Sequence, residues 1–146
     1  PLYSSAASDV YKRQVPNCTS KQIVRGVLGG SSSGVFQGKV RVAPNAQKTD
    51  GQQMSNAILL SENAKANAKP ELEIYADDVV CAHGATVGEL DDNQLFYLKS
   101  RGIPENKARQ MLIRAFLKDI INESVDNQYH DYIFGEAQAS LSSIIN

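Results

Sequence analysis

The chain has 146 residues, 42% hydrophobic and 21% charged, with a formal net charge of −1, enough for one domain with a modest core and too balanced to bind nucleic acid through a basic surface. No apolar run approaches the ~20 residues of a membrane-spanning helix, so no membrane span is expected. Two cysteines, Cys18 and Cys81, are too few for a disulfide framework, and a reducing compartment, most simply the cytoplasm, is expected.

Residues 1–14 show no periodicity that joins them to the rest of the chain. They resemble a translated assembly or cloning artefact, or else a weakly ordered terminus, and are set outside the fold. The remainder is then expected to be a fragment whose N-terminal portion is missing. Residues 23–28 form the first β-rich run, and the glycines and serines of 29–34 break it. Residues 35–42 are the clearest strand, with Val40 and Val42 on one face and Lys39 and Arg41 on the other. A turn at 43–46 comes next, then a short apolar run at 57–60. Leu72 and Ile74 alternate inward along residues 71–75, and Asp77-Asp78 turns the chain into residues 79–83. Short strands spaced by turns allow a sandwich, a barrel or a β-solenoid. Asp50-Gly51 is the only hairpin candidate, and no alternating run flanks it on both sides, so a solenoid fits better.

The texture changes at Asp91, a plausible N-cap with Gln94 three residues on. Residues 95–98 predict a short helix, and Gly102 stops it. Pro104 suits the first turn of a second helix. There Ala108, Met111, Leu112, Ala115 and Phe116 make an apolar stripe, with Ile113, Leu117, Ile120 and Ile121 as a second edge. Glu105 and Arg109 form a favourable i, i+4 pair. A last helix is predicted from about residue 136. The expected division is 1–14 outside the fold, 15–88 β-rich and 89–146 helical.

Cys81 and His83 stand two residues apart, so on a strand they share a face and could present sulfur and nitrogen to one metal. The pair alone is a weak signal, because a lone Cys is often a small core hydrophobe. Cys81 acting as a nucleophile with His83 as base lacks an orienting third group. Cys18 reads as incidental, and His130 as a surface residue. The stretch 29–34 lacks the Gly-Lys-Ser/Thr ending of a phosphate loop, which argues against nucleotide binding.

Six motifs stand in order: residues 34–40 (GVFQGKV), 46–50 (AQKTD), 59–61 (LLS), 69–79 (KPELEIYADDV), 81–88 (CAHGATVG) and 95–103 (LFYLKSRGI). Together they resemble the SufB/SufD family, over roughly residues 20–123. Ala82-His83-Gly84 is similar to the SufD branch rather than to the acidic Glu-His-Glu pattern of SufB. The resemblance implies a mainly β fold, a right-handed parallel β-helix followed by a small helical region. It implies a non-enzymatic scaffold for iron–sulfur cluster assembly, paired with SufB through the β-helix and docked to the ATPase SufC through the helices. Under it, His83 and Cys81 contact iron or a transient cluster at the SufB interface, and SufB supplies the remaining ligands. No cluster is then held stably by this chain alone. Phe96, Tyr97, Arg101 and Gly102 are the expected SufC contacts. A purely architectural dimerisation module is the alternative, and the isolated fragment could pair edge to edge with a second copy.

Overall fold

The computed structural model describes the backbone of residues 4–145 and the side chains of residues 8–123 and 125–141. Six strands come first: β1 (Ser4–Arg13), β2 (Thr19–Leu28), β3 (Ser33–Val42), β4 (Thr49–Leu59), β5 (Lys65–Ile74) and β6 (Val79–Glu89). Helices α1 (Asp92–Ser100), α2 (Glu105–Ser124) and α3 (His130–Ile145) come after them, with a short 3-10 turn at Asn127–Tyr129 before the last. No helix among the described residues is long and apolar enough to cross a membrane.

Successive strands alternate between two parallel sheets, ordered β1-β3-β5 and β2-β4-β6. Parallel neighbours need a crossover, and here the crossover between β3 and β5 is β4, a strand of the other sheet. The chain therefore returns to the same height after about 30 residues, pairing Ser33 with Ser4 and Lys65, and Asp50 with Thr19 and Val80. The strand pairs form three layers, with β3 and β4 in the middle.

Alternation decides which side chains fill the space between the sheets. Phe36, Val40 and Val42 of β3 are buried while Lys39 and Arg41 face out, as the period of two requires. Thr49, Gln53 and Ser55 of β4 are buried opposite them. Val40, Val42, Ala46 and Ala76 form the core cluster, with Tyr11, Leu72, Val79 and Cys81 packed against it. Ile74, expected inward beside Leu72, is 40% exposed. It pairs with Val42, but β5 has no further strand beyond it.

One local expectation changes. Residues 4–13, set outside the fold in the sequence, form β1 and pair with β3 along its whole length. Asp50 and Gly51 lie inside β4, in keeping with the poor hairpin signal there.

The helical region begins as its caps dictate. The Asp91 carboxylate accepts from the backbone N–H groups of Asn93 and Gln94 at 2.8 and 3.2 Å. At the other end Gly102 has φ +83°, and the N–H groups of Gly102 and Ile103 donate to the carbonyls of Lys99 and Leu98, a Schellman closure. Pro104 is the N-cap of α2 rather than part of its first turn. The buried line of α2 is Ala108, Ile113 and Ile121, whereas Met111 and Ala115 of the expected stripe are exposed. Glu105 bonds Lys99 of α1 at 2.6 Å, and that bond holds its carboxyl below the ordinary 4.5, with Arg109 a lesser influence. Helix α3 starts at His130, earlier than predicted, and His130 is half-buried with Nε2 2.8 Å from the Val125 carbonyl.

Candidate functional site

Strand β6 closes the second sheet, and its far edge pairs with nothing among the described residues. Cys81 is in register with Gly51 and His83 with Gln53. A Cβ built on Gly51 would lie 3.3 Å from the Cys81 sulfur, which places the thiol over the core-facing side of β4. His83 stands two residues later on the same face. The shared direction expected from the spacing holds, but it is toward the space between the sheets at its open third layer. Cys81 is half-buried against the core cluster, and His83 is exposed because no fourth layer covers it.

The pair has no third ligand nearby. Among the described residues no three His, Cys, Asp or Glu side chains converge on a point that could hold a metal ion. A cluster is held by about four protein ligands, more than this pair supplies.

Two large apolar side chains of this strand are exposed, one on each face. Val80 and Val87 of β6 are 69% and 46% exposed, and an exposed strand edge with apolar side chains is a template for pairing. The other edge of the third layer, β5, carries Pro70, which offers no N–H. The outer face of that sheet is occupied by its own charges. Lys39 bonds Glu73 at 2.8 Å, Lys69 bonds Glu71 at 2.8 Å, and Arg41 stands 3.6 Å from Glu73. The Lys39 hydrogen bond holds Glu73 below the ordinary carboxylate range, and Lys69 does the same for Glu71. Lys39 in turn is raised above 10.5, first by its bond to Glu73.

The expected helical contacts lie apart from this pair, on α1 and its C-terminal turn. Phe96 and Tyr97 are 74% and 57% exposed, and α1 buries no residue. Phe96 therefore does not stitch the helix to the sheets. The Arg101 guanidinium lies 5.1 Å from the Tyr97 ring centroid, and Gly102 is exposed beside it. What fastens the helices to the sheets is α2 on β2. Arg25 donates to the Phe116 carbonyl at 3.2 Å and sits 4.6 Å over the Phe116 ring, and Lys21 pairs with Glu123. A groove of about 300 Å³ beside this contact is lined by Lys21, Arg25, Met54 and Glu123 among others. Docking of the second helix on its own β-region is what its wide apolar surface suggests, but the contacts that make it, and the buried amide of Gln53, were not legible in the sequence. Neither carries a local signal, because the partners are far apart in the chain.

Comparison with known proteins shows the family. The family profile described as "SUF system FeS cluster assembly, SufBD core domain" matches residues 8–116. The chain belongs to the SufBD family. It is 48% identical over 103 residues to the iron–sulfur cluster assembly protein SufD of Escherichia coli, covering 70% of this chain and 24% of that protein. Against the SufD of Bacillus subtilis it is 42% identical over 98 residues, 67% of this chain and 22% of the relative. A SufBD family protein of Synechocystis is 41% identical over 108 residues, with 74% and 24% covered. The chain thus spans about a quarter of the length of these SufBD relatives.

Proposed function

We propose that this segment belongs to a non-catalytic scaffold subunit for iron–sulfur cluster assembly, acting in the cytoplasm. Its two sheets are the last turns of a right-handed parallel β-helix. Strand β6 pairs with SufB, and iron or a nascent cluster is cargo shared across that interface, with His83 and Cys81 as this chain's contribution. Helix α1 and its C-terminal turn dock SufC through Phe96, Tyr97, Arg101 and Gly102, where aromatic and Arg side chains make suitable anchors.

The observation that carries the reading is one unpaired strand bearing both an exposed imidazole and exposed valines, next to half a ligand set. A second chain would satisfy the backbone edge, cover the valines and complete the ligands in a single docking. Pro70 makes β5 the poorer edge for the same purpose.

Co-purification of the full-length protein with SufB and SufC tests the architecture. A ternary complex is expected, and its absence would sink the proposal. Within that complex, His83→Ala abolishes cluster formation and leaves assembly of the subunits intact. A normal cluster yield removes His83 from the mechanism. A second reading, a purely architectural module that can also self-pair through β6, is favoured by the packing of Cys81 against the core cluster. Unchanged cluster yield in a Cys81/His83 double variant would select it.

A further inference from the structure

Gln53 is 1% exposed in the middle of β4, and neither its Oε1 nor its Nε2 has a hydrogen-bond partner among the described residues. A buried amide left unpaired is a standing cost, about 1–3 kcal/mol per group. Leucine would occupy similar space without that cost. The neighbouring buried polar group shows the ordinary solution, since the Thr49 hydroxyl donates to the Ala46 carbonyl at 2.8 Å.

Room for the amide is built from the opposite sheet. A Cβ on Gly38 would meet Gln53 Nε2 at 2.5 Å and Cδ at 2.9 Å. The side chain therefore crosses the space between the sheets into a gap that only glycine leaves. One layer up, the register places His83 directly on Gln53 and Pro70 directly on Gly38. Pro70 has no hydrogen-bonding group in its side chain, so Gln53 is the polar side chain in direct register with the imidazole. The His83 ring, being exposed, is free to turn about its side-chain torsions.

We propose that Gln53 is a positioning residue for His83, its Oε1 accepting from one imidazole N–H so that the other ring nitrogen presents its lone pair at the open face of β6. A neutral imidazole has one N–H and one lone pair, and ligands use the lone pair. A carbonyl-type acceptor on the inner nitrogen fixes the tautomer and the ring plane, as outer partners of ligating histidines do. This role rests on the proposed function of His83 and adds the residue that orients it.

The test uses the full-length protein with Gln53→Leu and Gln53→Glu. Nitrogen-15 NMR of labelled histidine, with His83 assigned by its loss in His83→Ala, reads the tautomer ratio. One tautomer dominates in the native protein and in Gln53→Glu, which keeps an acceptor at the same reach. Gln53→Leu shows mixed tautomers, unfolds at no lower urea concentration, and forms clusters about 10-fold less well or worse with SufB and SufC still bound. An unchanged tautomer ratio in Gln53→Leu overturns the proposal, as does a normal cluster yield from it when His83→Ala is inactive. If His83→Ala is itself fully active, the reading of His83 falls, while the tautomer ratio still decides whether Gln53 orients the ring.

Discussion

The middle layer, β3 and β4, and the last layer, β5 and β6, are built from strands of similar length in continuous register. Their burial is nevertheless opposite. Val40, Val42, Thr49 and Gln53 are shut off from solvent, while their partners Leu72, Ile74, Val79 and His83 are half-buried or exposed. The difference lies in neighbours, not in alternation, since each middle strand is paired on both sides and each last strand on one. Residues that serve stability occupy the layer with two neighbours. Residues available to a partner occupy the layer with one.

The largest expected break of this contrast comes from a charge. Val40→Asp in the middle layer costs about 3 kcal/mol or more in urea unfolding, because the carboxylate has neither partner nor water. Val80→Asp on β6 stays within about 0.5 kcal/mol of the native protein and instead weakens the proposed pairing with SufB. Equal destabilisation by the two would show that β6 is as enclosed as β3.

Glycines sharpen the same comparison at smaller cost. Gly38→Ala brings a Cβ within 2.6 Å of the Phe36 ring as well as onto Gln53, and a loss of about 1–3 kcal/mol is expected. Gly88→Ala on β6 meets nothing within 4 Å and shifts the urea midpoint little, if at all. The helices beyond the last layer lean on their ends. Asp91→Ala removes two hydrogen bonds from a helix with no buried residue, for about 1 kcal/mol, seen as earlier loss of amide protection along α1.

The smallest effect is the pH response of the outer charges that tie β3 to β5. Glu71 and Glu73 have depressed carboxyls, so their contribution is present above 4.5 and is lost as the pH falls through their lowered values. Lys39 is raised, so its contribution is complete below 10.5 and fades as the pH climbs through its higher value. Lys39→Met should flatten both limbs of a stability–pH profile slightly, as befits partly exposed pairs. An unchanged profile would mean that these ion pairs add nothing to the joining of the two layers.

Much of the local structure was legible in advance. The alternation of residues 35–42, the Asp91 cap, the Gly102 stop and the common face of Cys81 and His83 each come from a short-range rule, and the structure contains each of them. The β1 strand was not legible, because residues 4–13 acquire their role only by lying beside β3. The buried face of α2 was misjudged for a similar reason. Periodicity defines an apolar surface, and the contact with β2 through Arg25 and Phe116 selects the part that docks.

From the order of its residues alone, this protein carries the alternation of its clearest strand, the caps of its first helix and the face shared by Cys81 and His83, because those depend on neighbours within a few residues. Stacking decided the rest. A return of about 30 residues per layer brings Gln53 beneath His83 and leaves β6 without a cover. Contacts across such separations depend on how many residues each turn consumes, a quantity set by packing between layers.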